Sequence, residues 1–272
     1  MKTTDTYVLR RGAEEVARLR MQAAAWQADS AALLDRIGVG PGWRCLDLAC
    51  GVGGITDLLS RRVGPTGRVV GLDCDAWMLE AAREWAETLG LANTEFVQGD
   101  AYRTGLPRES FDLVHVRFLL TTVGRDQELL AEAVTLLRPG GVLALQEADV
   151  STLGCDPPHP AWDQLKEPIV AIFRRIGADP FVGRRLFGML RRVGLEDVRF
   201  QPAILGFRSE DPMARFMPET AAAMRRAIRD AGLLTDAELD EAIAACERHL
   251  ADPDTTSTSI VVFQAWGRKA SR

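Results

Sequence analysis

Arg44-Cys-Leu-Asp-Leu-Ala-Cys-Gly-Val-Gly-Gly54 runs from an apolar stretch straight into three closely spaced glycines. The apolar part reads as a buried strand, and the glycines as a tight turn whose backbone can pass close to a ligand. A helix candidate follows at 55–62. Its N-terminus would present unpaired N–H groups beside the turn. Strand, glycine turn and helix together read as a loop that binds a small molecule.

Downstream, RVVGLD (68–73), TEFVQGD (94–100), FDLVHV (111–116) and GVLALQEA (141–148) are further short apolar runs, with helix candidates at 76–89 and 127–137. Strands that are apolar nearly throughout, separated by crossover helices, specify a parallel sheet covered on both faces. Right-handed crossovers make it doubly wound. Residues 40–150 are therefore expected to form an α/β core.

Upstream, Val16, Leu19, Ala23, Trp26, Ala31, Leu33 and Ile37 fall at helical spacing and Gly38 supplies a stop, so 1–39 reads as an arm built on one amphipathic helix. Beyond the core, Cys155-Asp-Pro-Pro-His-Pro160 is a break. Helical patterns follow at 161–177 and 180–193, strands at 198–207 and 257–267, and one long helical stretch at 212–250. Residues 151–272 thus complete the sheet and carry cap inserts at about 159–193 and 212–250.

The glycine turn admits three ligand classes. A phosphate-cradling P-loop needs Gly-Lys-Ser/Thr, whereas Gly54 is followed by Ile55 and Thr56. The dinucleotide fingerprint fits Gly51 and Gly53 but meets Thr56 where a small residue should let helix and strand pack. An NAD(P) oxidoreductase stays an alternative on that ground. The third class is S-adenosylmethionine (SAM). Asp47 followed by Ala49-Cys-Gly-Val-Gly53 resembles the first motif of the class I SAM-dependent methyltransferases, with Ala49 at the family's commonest first glycine.

Other segments fall where that resemblance needs them. Val69-Val-Gly-Leu-Asp73 ends a second strand in an acid, where a carboxylate can accept both ribose hydroxyls. Asp73 could instead cap a helix, but Asp75 is better placed to do so. Gly99-Asp100-Ala101 closes the third strand, and the resemblance assigns Asp100 to the adenine amino group and the Ala101 N–H to a ring nitrogen. The segments 111–118 and Leu137-Arg-Pro-Gly-Gly141 match the family's fourth strand and its turn into the fifth.

What the resemblance implies is a seven-stranded Rossmann-like sheet with an antiparallel last strand and a helical cap. SAM would be the cofactor and S-adenosylhomocysteine its product. Asp47, Ala49, Gly51, Gly53, Asp73, Cys74, Met78, Asp100 and Ala101 would form the cofactor site, with Arg117 touching it through its backbone. The closest likeness is to small-molecule methyltransferases whose N-terminal arm folds over the cofactor. Tyr7 or Gln22 would then reach the methionine carboxylate, unless the arm merely covers the sheet.

Methyl transfer needs alignment and exclusion of water more than a base, and a base only when the acceptor is protonated at neutral pH. Candidates lie at the carboxyl ends of strands four and five. His115 is the histidine so placed, although a strand interior equally suits a structural, hydrogen-bonded histidine. Phe118 is placed to line the pocket; Glu147 and Asp149 end strand five, and Glu147 with His115 are the catalytic candidates. His159 and His249 read as solvated.

No Asn-Pro-Pro-Tyr motif follows strand four, where Arg117-Phe-Leu-Leu120 stands instead, which disfavours nucleic-acid and protein-amide substrates. The expectation is O- or N-methylation of a small metabolite in biosynthesis. A cyclisation or other non-methyl reaction on the same fold is the alternative.

Composition sets the outer bounds. In 272 residues, 47% are hydrophobic and 26% charged, which predicts a packed core, and the net charge of −5 argues against a broadly basic nucleic-acid surface. The five cysteines form no C-x-x-C pair, so neither a disulfide framework nor a metal site is expected. The N-terminus lacks the apolar core of a signal peptide and no stretch is long and apolar enough for a membrane span, which reads as a cytoplasmic protein without a membrane partner. A homodimer is compatible with all of this. Finally, Arg174-Arg175, Arg184-Arg185 and Arg191-Arg192 face only Asp179 in that stretch, with Arg225, Arg226 and Arg229 beyond. They are either solvated helix faces or ligands for an anionic acceptor.

Overall fold

The protein is seen in a computed structural model that describes residues 12–271. The arm folds as two helices, α1 (Ala13–Ala25) and α2 (Gln27–Ile37), rather than the single one that its spacing predicts. Trp26 is the reason. Its side chain is 1% exposed and packs with Ala148, Val150, Ile260 and Val262 at the sheet, so the chain turns there to bury it. Gly38, left-handed at φ 80°, ends α2 with its N–H on Leu34 and Asp35 carbonyls.

The core then alternates: β1 (Arg44–Leu48), α3 (Thr56–Val63), β2 (Arg68–Asp73), α4 (Ala76–Thr88), β3 (Thr94–Gln98), β4 (Phe111–Arg117), α5 (Asp126–Leu136) and β5 (Leu137–Asp149). After it come β6 (Gly154–Asp156), α6 (Pro160–Arg175), α7 (Leu186–Arg192), β7 (Glu196–Ala203), β8 (Gly206–Arg208), α8 (Phe216–Ala223), α9 (Arg225–Asp230), α10 (Asp236–Leu250), β9 (Thr256–Thr258) and β10 (Val261–Arg268). The seven-stranded sheet has the order β3-β2-β1-β4-β5-β10-β7. Its first five strands are parallel, and β10 runs antiparallel to both β5 and β7.

Both faces are covered, as continuous apolar strands require. On one face Leu46, Leu48, Val114, Val116, Leu143 and Leu145 pack against α5 and α7. On the other, Cys45, Leu113 and Ala144 meet Leu33 and Leu34 of α2 and Leu59 and Val63 of α3. Leu33 and Leu34 are fully buried, each stabilising by about 2 kcal/mol through apolar burial.

The cap has a core of its own. Trp162, Leu165, Ile169 and Ile172 of α6 pack against Met217, Ala221, Leu239 and Cys246 of α8 and α10. The 212–250 stretch is broken into a 3-10 turn and three helices, and α10 restarts with a capping box between Thr235 and Glu238. A small sheet, β6-β9-β8, joins the cap to the core and was not anticipated from the sequence.

Candidate active site

The turn after β1 is shaped by backbone that side chains resist. Ala49, Gly51 and Gly53 have φ of 62°, 52° and 83°; Ala49 pays the left-handed cost that glycine avoids. A Cβ at Gly51 would meet nothing within 4 Å, so the turn is open there. Asp73, at the end of β2, closes the other side. Its Oδ2 accepts from Gly51 N and its Oδ1 from Asp75 N, both at 2.9 Å. Burial lifts the carboxyl above its ordinary value against the pull of those two N–H groups. Asp75 caps α4 by accepting from Trp77 N.

The end of β3 is tied to the same edge, because Gly99 N donates to the Asp73 carbonyl. Asp100 follows, with Oδ1 accepting from Tyr102 N, and Ala101 is half-buried beside it. Exposed Cys74 lies next to Asp73; partial burial, then the carboxylates of Asp73 and Asp75, push its thiol up to about 11 and keep it protonated. Met78 is buried with Val52 and Ala81 beneath Val16 and Leu19 of α1, so the arm does lie over the glycine turn. Half-buried Gln22 lies on that arm, while Tyr7 falls outside the described residues.

Three of the expected site residues turn inward. Asp47 is 3% exposed; Oδ2 accepts from Thr56 Oγ1 at 2.9 Å and Oδ1 stands 3.5 Å from His115 Nδ1. His115 is fully buried, its Nε2 3.0 Å from Gln146 Oε1, an oxygen that also accepts from Ser30 Oγ at 3.0 Å. Arg117 Nη1 reaches Ser30 Oγ at 3.4 Å. Gln146 Nε2 and His115 Nδ1 are buried without a hydrogen bond among the described residues. Exchanging the amide's oxygen and nitrogen lets the NH2 donate to His115 Nε2 and His115 Nδ1–H face Asp47 Oδ1, and puts the amide oxygen where the NH2 had stood. These side chains form a polar layer between α2 and the sheet.

Glu147, the other catalytic candidate, is also fully buried. Oε1 accepts from Leu119 N and Leu120 N at 2.9 Å, and Oε2 from Thr121 N at 3.0 Å and Thr121 Oγ1 at 2.6 Å. Burial pushes its carboxyl up to about 7 against these four donors. Neither Glu147 nor His115 has surface that an acceptor could reach. Their geometry holds the loop after β4 and the polar layer, which corrects the expectation of a base at either position. Phe118, between them at φ 56°, is half-buried with its N–H on Gln146 O.

Five of the cap arginines are paired with acids, some nearby in sequence and some distant. Arg184 pairs with buried Asp149, and Arg185 with Asp126 and Asp179. Arg225, Arg226 and Arg229 pair with Asp230, Asp236 and Asp240. His159 and His249 are not solvated as expected. Both are half-buried and stacked at 4.6 Å, with His159 Nδ1 accepting from Ala161 N and His249 Nε2 donating to Pro157 O. Ser30, Thr121 and Gln146 were missed, and only Gln146, a polar interruption in an apolar strand, left a trace. Among the described residues no cluster of His, Cys, Asp or Glu could hold a metal ion, and no helix is long and apolar enough to cross a membrane.

This edge of the sheet corresponds to known proteins. Residues 45–141 match the family model described as a methyltransferase domain. That stretch takes in the glycine turn, Asp73 and Asp100. The domain is 41% identical over 111 residues to the ubiquinone/menaquinone biosynthesis C-methyltransferase UbiE of Pseudomonas savastanoi, covering 40% of this chain and 43% of that relative. To the demethylmenaquinone methyltransferase of Staphylococcus aureus it is 38% identical over 117 residues, covering 43% and 48%. The match thus spans less than half the length of these relatives. The fold extends further: phosphoethanolamine N-methyltransferase 2 of Haemonchus contortus, solved with S-adenosyl-L-methionine, superposes over 89% of this chain and 52% of that one, with TM-score 0.54 at 18% identity.

Proposed function

We propose that this chain transfers a methyl group from SAM to a small-molecule acceptor held between the carboxyl edge of the sheet and the helical cap. The observation that carries the reading is Asp73. It ends β2 beside the open flank of Gly51 and, among the described residues, each oxygen accepts one hydrogen bond, from the turn and from the start of α4. An ionised carboxylate has about four lone-pair sites, so acceptor capacity remains for a vicinal diol. Asp100 offers an acceptor for an amino group, and the left-handed turn lets a ligand approach the backbone. The donor set fits an adenosine derivative.

When bound, SAM supplies an electrophilic methyl on a sulfonium whose charge disappears on transfer. The chain's residues bind, align and enclose. Alignment at about 3 to 3.5 Å with exclusion of water accounts for most of the catalysis such a reaction needs. Enclosure falls to α1, which lies on the glycine turn and reaches the cap, where the Arg18 guanidinium sits 5.8 Å from the Phe216 ring centre. Glu147 acts at one remove, fixing 119–121 and hence Phe118 at the mouth.

Because His115 and Glu147 are sealed, the accepting atom is one already nucleophilic near neutral pH. An aromatic or otherwise weakly basic amine nitrogen, and the oxygen of a phenol or enol acidic enough to ionise near neutral pH, meet that condition, in line with O- or N-methylation. The quinone-pathway names of the relatives support the wider class of small acceptors, which includes a ring carbon activated by such an oxygen. Incubation with methyl-labelled SAM and a panel of amines, phenols and enolisable ketones should yield S-adenosylhomocysteine and a labelled product. Binding of S-adenosylhomocysteine with no transfer to any acceptor would overturn the reading in favour of a non-methyl reaction.

A further inference from the structure

Phe118 holds a backbone conformation that its side chain disfavours. Its φ is 56°, in the left-handed region where a bulky residue is an outlier. The surroundings enforce it. The Phe118 N–H donates to the Gln146 carbonyl at 3.0 Å, the Phe118 carbonyl accepts from Thr122 Oγ1 at 3.2 Å, and the N–H groups of Leu119, Leu120 and Thr121 are fixed by Glu147. Strain over-determined in this way, at the carboxyl end of a sheet strand, serves to aim a side chain. The ring packs against an apolar cluster built on buried Trp26 and Val150, which Val170 and Phe181 of the cap and Leu205 after β7 also join. Phe118, Val170, Phe181 and Leu205 are each only half-buried. Arm, sheet end and cap therefore meet on apolar surface that is not fully covered, at the place where the acceptor is to be held.

The polar and charged groups around this cluster are committed elsewhere. Arg184 pairs with buried Asp149. Arg174 and Arg184 lie over the Phe181 ring, each with Cζ 5.3 Å from its centre, and both side chains are exposed, so their charges meet water. Ser259 Oγ accepts from Leu205 N and donates to the Ile260 carbonyl, and Thr152 Oγ1 donates to the Ser259 carbonyl. Lys166 of α6 donates to the Leu153 carbonyl at 2.9 Å, and Arg117, 5.8 Å from the Phe118 ring centre, reaches Ser30. Glu147 is sealed. Surface of this kind favours an apolar partner, whereas a carboxylate or phosphate set against it would lose hydration without gaining a partner. The paired arginines of the cap thus do not mark an anionic acceptor.

We infer that the acceptor has an apolar body free of carboxylate and phosphate groups, gripped by Phe118 from the sheet and Phe181 from the cap, with the methyl-accepting atom at one end. The inference rests on the methyl-transfer reading and narrows its substrate class. It also gives the buried Glu147 and the strained turn a purpose, since both hold the Phe118 ring in place.

The test is calorimetric titration of the protein saturated with S-adenosylhomocysteine. The probes are phenol, 4-ethylphenol and 4-butylphenol, and 3-(4-hydroxyphenyl)propanoate as an anion of similar size. In the wild type the dissociation constant should fall about 15-fold for each two methylenes added, and the anion should bind at least about tenfold more weakly than 4-butylphenol. Phe118→Gly removes the ring while suiting the left-handed backbone. It should flatten the series to below about threefold per step and leave the affinity for S-adenosylhomocysteine within about twofold. Phe181→Ala should act in the same direction. A flat series in the wild type, tighter binding of the anion, no binding of any phenol, or a series unchanged in both variants would overturn the inference while leaving the methyl-transfer reading intact. A wild type that does not bind S-adenosylhomocysteine would overturn both. Should Phe118→Gly fail to fold, Phe181→Ala decides alone.

Discussion

Replacing Glu147 by glutamine probes how the loop after β4 is held. The carboxyl is fully buried and raised from 4.5 to about 7. A carboxyl raised in the folded state binds its proton more tightly there than in the unfolded chain, so its contribution is present below the unfolded value and lost as pH rises through the folded one. With those two values, linkage gives about 2.5 kcal/mol at pH 5, falling to nearly zero by pH 8. Glu147→Gln removes the titration. Its amide must also turn an NH2 toward either the Leu119 and Leu120 N–H groups or the Thr121 pair, which costs about 1 to 3 kcal/mol per donor left unpaired. Urea denaturation of both proteins at pH 5 and pH 8 gives the answer. The wild type should exceed the variant by about 2.5 kcal/mol more at pH 5 than at pH 8. A pH-independent difference would show that the four donors keep the carboxylate ionised and that burial does not dominate.

Further outcomes follow from packing and charge. A Cβ at Gly183 would stand 2.7 Å from Glu147 O and 2.9 Å from Ala148 O, so Gly183→Ala should destabilise by about 1 to 3 kcal/mol; an unchanged denaturation midpoint would contradict the tight seating on β5 of the 3-10 turn Val182–Arg185. Trp26→Ala empties the joint between α1 and α2 and should cost about 3 to 5 kcal/mol, read as a fall in melting temperature. Buried Asp149 titrates below its ordinary value because Arg184 and Ser151 outweigh the desolvation that burial imposes. The stability lost in Arg184→Ala should therefore be largest near pH 7 and shrink as pH falls through that depressed value; a loss equally large in acid would refute the pairing. Asp73→Ala should abolish nucleoside binding while the protein still unfolds cooperatively.

The parallel core was legible because strands buried on both faces leave unbroken apolar runs, and the glycine turn and Asp73 sit at fixed distances along them. The arm was half legible. Apolar spacing continues through Trp26, so nothing local shows that its ring belongs to the sheet and must break the helix. The strands β6, β8 and β9 have three residues each, too short for an alternating pattern to register. The polar layer was hidden for a different reason: Ser30 and Gln146 are 116 residues apart, and a polar side chain in an apolar strand does not name its partner. The same limit applies to the cap arginines. Their stretch holds one acid, but folding brings Asp126 and Asp149 to Arg185 and Arg184 from α5 and β5.

The central claim is that the edge formed by the Gly51 turn, Asp73 and Asp100 takes the adenosine of SAM rather than a dinucleotide. Calorimetric titration of the wild-type chain with S-adenosylhomocysteine and, separately, with NADH tests it most directly. The account predicts saturable heat from S-adenosylhomocysteine and none from NADH. Tight NADH binding with no heat from S-adenosylhomocysteine would contradict it.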